Sequence, residues 1–137
     1  MIFITQGYDF AIPTGARHGN WFQAQHYENM AINSGKWLFE ALQMKGITDP
    51  EEQKAVVYAC IYEFNEMLIL LANYFPNVYH VDNRGVAKDQ NGWYDELHLK
   101  SEFFQKVSEA YKQCIVENAR DPKIKKKIYR TSNAPGY

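Results

Sequence analysis

The chain has 137 residues, a hydrophobic share of 46%, an aromatic share of 15% and a formal charge of −1. That length and apolar content suit one soluble globular domain with a core, and the near-zero charge excludes a global field that would steer a nucleic acid or an anionic membrane. Cys60 and Cys114 lie far apart without a Cys-x-x-Cys, so they read as buried thiols of a reducing compartment, one disulfide being the alternative.

Met1 leads straight into a strand with no secretory leader, and no apolar run reads as long enough to span a bilayer, which favours a cytoplasmic setting. Residues 2–6 are rich in β-formers, and Gly7 ends the run. Pro13, Gly15 and Gly19 make the segment from Tyr8 to Trp21 a long loop. It carries Asp9 and His18, for which ordinary loop polarity is the plainer reading beside contact with a ligand. Residues 22–33 are ambiguous, with a short helical turn as one reading.

Asn33 or Ser34 could cap a helix through Trp37, Leu38, Ala41, Leu42 and Met44 that stops at Gly46. Thr48-Asp49-Pro50-Glu51-Glu52 is a helix start, with a cap, proline at the first position and acids in the first turn. That helix runs to about Tyr74. Val57, Ile61, Phe64, Leu68 and Leu71 recur at helical spacing, with Cys60 and Met67 beside them, and predict a core face rather than a cofactor site.

Pro76 and Asn77 break the chain before an apolar strand at 78–82, in which His80 reads as a packed or hydrogen-bonded histidine. The loop that follows holds Asp82, Asp89, Asn91 and Gly92. Asp89-x-Asn91-Gly92 is only a fragment of a calcium-loop pattern, so no metal and no cofactor is expected.

Next comes Trp93-Tyr94-Asp95-Glu96-Leu97-His98-Leu99. A carboxylate that accepts the proton on one imidazole nitrogen fixes the tautomer and orientation of the ring, leaving the other nitrogen to take a proton from a nucleophile. If the pair opens a helix, Asp95 and His98 share one side of its first turn. The plainer reading makes Asp95 a helix N-cap and His98 a surface residue. Their place after an apolar strand favours chemistry, because catalytic groups in open α/β sheets gather at the carboxyl ends of strands. A last helix, about Leu99 to Asn118, is expected to bury Phe103, Val107, Ala110, Tyr111, Cys114 and Ile115. Beyond it Arg120, Lys123, Lys125, Lys126, Lys127 and Arg130 form a basic stretch with Tyr129 interleaved, read as a solvated terminus.

Strand, polar loop, Trp-x-Asp-Glu-Leu-His-Leu and terminal helix resemble the last conserved block of the SGNH hydrolases, the GDSL-type lipases and esterases. Residues 2–13 are similar to the strand and loop that precede that block in some members. The resemblance implies a flavodoxin-like three-layer α/β/α domain, of which residues 1–119 would be the C-terminal portion, with about two parallel strands and flanking helices, and residues 120–137 a basic tail. It implies that Asp95 and His98 are the Asp and His of a Ser-His-Asp triad acting on an acyl or carbohydrate ester, His98 as general base and then acid and Asp95 holding its ring. The family's Gly-Asp-Ser nucleophile motif and its oxyanion-hole blocks are absent, and Ser34, Ser101, Ser108 and Ser132 lie in no strand-to-helix elbow. The expectation is therefore an incomplete hydrolase site. The alternative is an inactive unit that self-associates. The edge of strand 2–6 is expected to pair with a second copy or with a separate N-terminal half.

Overall fold

The computed structural model describes residues 1–15, 36–87, 89–120 and 126–131. In chain order it contains β1 (Phe3–Gln6), α1 (Trp37–Met44), α2 (Pro50–Tyr74), β2 (Val78–Asp82), a 3-10 turn (Gln90–Gly92), α3 (Ser101–Arg120) and β3 (Ile128–Arg130). The three strands form one parallel sheet in the order β1-β2-β3. Thr5 stands opposite His80, and Val81 opposite Tyr129. The molecule is thus α/β, with helices flanking a parallel sheet.

Local chemistry accounts for most element ends. Asp49 accepts the Glu52 N–H at 2.8 Å, and Pro50 occupies the first turn of α2, as the sequence predicts. Gly46 closes α1 with φ 81°. The Gly46 N–H reaches the Gln43 carbonyl and the Ile47 N–H the Leu42 carbonyl, the paired bonds of a Schellman ending. Lys36 precedes α1 and contributes no side-chain cap; Asn33 and Ser34, expected in that role, lie outside the described residues.

The pleat of β2 divides the helices between its two faces. Tyr79 and Val81 pack with Ala110 and Cys114 of α3, with Tyr129 and with Ile4. His80 points the other way, to where Asn65 of α2 crosses Gly7. A second cluster lies beyond the carboxyl ends of β1 and β2, joining Ala11, Val57, Val86, Ala87, Trp93, Leu99 and Val107. It welds the loop after β1, the loop after β2, α2 and α3 into one floor.

Several expectations are corrected. The stretch read as a solvated tail contains β3, a third strand, whose Tyr129 is 0% exposed. Ile128 and Tyr129 are good strand formers, and β2 offers them a free edge. The Lys127 ammonium also reaches the carbonyls of Phe75 and Val78. The buried face of α2 runs through Gln53, Val57, Asn65, Leu68 and Ala72. Phe64, Met67 and Leu71 are exposed, as are Cys60 and Ile115, all expected in the core. The core stripe passes through Gln53 and Asn65, which an apolar pattern cannot include. The long helix α2 is also apolar enough, by length and composition, to cross a bilayer, contrary to the expectation of no such run. Its buried side lies on the sheet.

Candidate active site

The loop from Trp93 to Leu99 is closed at its base. Trp93 and Leu99 form an antiparallel bridge, and the Tyr94 N–H donates to the His98 carbonyl at 2.7 Å. Both anchors are buried in the floor cluster, so burial of two apolar side chains fixes the width of the loop. The apex, Tyr94 to His98, projects from this base.

At the apex Asp95 makes four contacts. Its Oδ1 accepts the N–H groups of Leu97 and His98, each at 2.8 Å. Its two oxygens lie 2.9 and 2.8 Å from Nδ1 of His98. The Asp95 side chain is 11% exposed and the His98 side chain 48%. The two backbone bonds are those of a helix cap, yet no helix begins at Asp95 to His98. Helix α3 begins at Ser101, so the pair does not open a helix and Asp95 does not cap α3. The closed loop, rather than helical spacing, brings the two side chains together. A carboxylate held by two amides is a fixed acceptor for Nδ1–H, which places the ring's other nitrogen, Nε2, on the side away from Asp95.

Tyr8, Gly15, Leu38 and Phe39 support this loop from outside. The Tyr8 hydroxyl, just past β1, donates to the Leu97 carbonyl. Burial, helped by the charges of Asp95 and Asp9, pushes that hydroxyl up to about 12, so it stays a donor at neutral pH. Glu96 is 1% exposed and accepts the N–H groups of Gly15 at 3.1 Å, Leu38 at 2.6 Å and Phe39 at 3.1 Å. A small recess of about 30 Å³ lies under the loop, bordered by Gly7, Tyr8, Leu97 and Phe104.

No family model, no curated protein and no solved structure matches this chain.

The other polar residues singled out in the sequence have structural work. Asp9 is buried and accepts the N–H groups of Gly85 at 2.6 Å, Ala87 at 2.7 Å and Phe10 at 2.8 Å, tying the loop after β1 to the loop after β2. Burial raises its carboxyl above the usual range against the pull of those bonds. His80 is fully buried; its Nδ1 lies 3.0 Å from the Thr5 hydroxyl, and Nε2 has no partner among the described residues. Burial lowers its pKa. Asp82 is bound by Arg84 in two bonds of 2.9 Å, and Arg84 also reaches Glu66 at 2.8 Å. Burial pushes the Asp82 carboxyl up, but the Arg84 bonds outweigh it and hold the group below the usual range. Asp89 caps the 3-10 turn through the Asn91 N–H. Among the described residues no group of three or more His, Cys, Asp and Glu side chains is placed to hold a metal. Ser101 and Ser108 are exposed on α3, while His18, Ser34 and Ser132 lie outside the described residues.

Sequence reasoning did not single out Tyr8 or Glu96. Both stand inside stretches that drew attention for other residues. Their partners are backbone groups of distant segments, and backbone groups leave no mark in a sequence. A signal for Glu96 was its place between the two members of the pair.

Proposed function

We propose that this chain is the histidine-bearing part of an SGNH-type ester hydrolase, built as a portion of a flavodoxin-like three-layer domain. The observation that carries this reading is the bond of both Asp95 oxygens to Nδ1 of His98, in a closed loop beyond the carboxyl ends of β1 and β2. Asp95 holds the ring and stabilises its protonated form. His98 takes the hydroxyl proton of a serine as that oxygen attacks the ester carbonyl, then gives the proton to the departing alkoxide; water repeats the cycle on the acyl-serine. The serine and the oxyanion donors come from residues outside this chain. The substrate class is an acyl or carbohydrate ester.

The purified chain should hydrolyse p-nitrophenyl acetate no faster than His98→Ala, and a serine-directed phosphonate should leave it unlabelled. Hydrolysis that depends on His98 should appear when the chain is co-expressed with a Gly-Asp-Ser segment encoded in frame upstream or in a neighbouring gene. Failure of every such segment to restore hydrolysis would sink the enzyme reading. A stoichiometric adduct on Ser34, Ser101, Ser108 or Ser132 would overturn the split between base and nucleophile.

A second reading, an inactive unit that self-associates, is favoured by one feature. Among the described residues the outer edge of β1 has no strand beside it, and apolar side chains of α2, Leu70 at 68% exposure and Tyr74 at 81% among them, are open. Both readings place a partner, a second copy or a separate N-terminal half, along that edge.

A further inference from the structure

Among the apex residues Tyr94 to His98, Glu96 alone is buried. Among the described residues its carboxylate goes neither to the imidazole nor to a basic side chain but to three backbone N–H groups, those of Gly15, Leu38 and Phe39. Leu38 and Phe39 are in the first turn of α1, where N–H groups have no partner inside the helix. A short polar side chain at position 36 would cap α1 more simply. Lys36 stands there instead and makes no cap bond, so the acceptor is delivered from the loop that carries the histidine. The same carboxylate draws in Gly15, in the segment that follows β1 and carries Tyr8, whose hydroxyl holds the Leu97 carbonyl. Two separate segments therefore grip the apex at adjacent residues, Glu96 and Leu97, between Asp95 and His98.

We propose that Glu96 is a positioning residue for the Asp95–His98 pair: by holding Gly15 and the first turn of α1 on one carboxylate, it sets the apex geometry that aims His98. The proposal rests on the hydrolase reading of that pair. A side-chain contact that orients a catalytic ring requires placement within about 0.5 Å, which a loop reaches only when its backbone is held from outside. The closed base at Trp93 and Leu99 sets the loop's width, and Asp95 and Tyr8 hold the peptides around Leu97; Glu96 adds the tie from the apex to Gly15 and the first turn of α1. Glutamine is not an adequate substitute. Its one carbonyl oxygen cannot serve donors now spread over both carboxylate oxygens, and its amide would turn N–H toward N–H.

The test uses the full chain with 15N-labelled histidine. In wild type the Nδ1–H of His98 should be protected from solvent exchange. Glu96→Gln should speed that exchange about tenfold or more at a temperature where circular dichroism shows the variant folded. Adding Lys36→Asp supplies α1 with a cap of its own. The double variant should regain thermal stability while His98 exchange remains fast. Unchanged His98 exchange in folded Glu96→Gln would overturn the proposal. So would its return to the wild-type rate on adding Lys36→Asp, since Glu96 would then serve α1 alone. A wild-type chain without a protected Nδ1–H would overturn the pair and the positioning role together. Loss of the hydrolase reading by the co-expression test, with the His98 signal intact and sensitive to Glu96, would leave the positioning role standing.

Discussion

At the scale of single residues, the pair Asp95–His98 and the buried His80 show two opposite uses of imidazole. His98 is half-exposed and held through Nδ1 by a carboxylate. Asp95→Asn should exchange that acceptor for an amide able to donate to Nδ1, moving the ring to the Nε2–H tautomer, as read from imidazole 15N shifts. Identical shifts in the two proteins would show that the groups are not coupled. His80 is sealed between Thr5, Asn65 and Gly7, with Asp82, Arg84 and Glu66 acting on it from nearby. Burial lowers its folded pKa, so below about 6.5 the unfolded chain binds a proton that the folded chain resists. The His80 contribution to stability is thus complete above that pH and falls as the pH drops through the window. Asp9 works in the other direction, because a raised carboxyl pKa makes its ionisation a burden that acid relieves. Urea unfolding should show a loss of stability from pH 7.5 to 5.5 that is smaller in His80→Gln. A slope unchanged by the substitution would rule out His80 as its source.

At the scale of elements, α2 is set by its ends and by one close approach. Asp49→Ala removes the cap bond to Glu52 and should cost about 1 kcal/mol in urea unfolding. Gly7, at the end of β1, matters for a different reason. A Cβ there would stand 1.9 Å from Oδ1 of Asn65, a side chain that is itself 0% exposed and bonded to the Tyr8 and Ile61 carbonyls. Gly7→Ala should therefore push β1 from α2 and destabilise the chain by about 1–3 kcal/mol. It should also disturb Tyr8, and with it the Leu97 end of the histidine loop. A variant as stable as wild type would mean that α2 yields there at little cost.

At the scale of the whole molecule, the sheet has a flank that no described strand covers. Phe3 and Gly7 donate their N–H groups to the carbonyls of Asn77 and Val81. Alternation then turns the N–H groups of Ile4 and Gln6 toward the outer edge of β1. Parallel sheets are normally buried on both faces and continued at such edges. The chain should accordingly sediment above its monomer mass of 16.0 kDa at micromolar concentration. Gln6→Pro removes an outward N–H without touching the β1–β2 ladder, and should return the protein to monomer while it stays folded. A folded wild-type monomer would contradict self-association, and a dimer unaffected by Gln6→Pro would exclude the β1 edge as its seam.

What could be read from residue order alone was whatever depends on near neighbours. The cap and proline of α2, the glycine that ends α1, the strands at 3–6 and 78–82 and their parallel crossover are local chemistry or its direct consequence. So is the choice of Asp95 and His98 as partners, since their spacing limits how far apart they can lie. Tertiary structure decided the rest, because burial is a property of what packs opposite. It turned α2 so that Asn65 and Gln53 face inward while Phe64 and Met67 face out. It recruited Ile128 to Arg130, from a stretch whose charges suggested solvent, because β2 had an edge to fill. It also placed the dyad in a closed loop rather than on a helix, since burying Trp93 and Leu99 together draws the chain back on itself before α3 can begin.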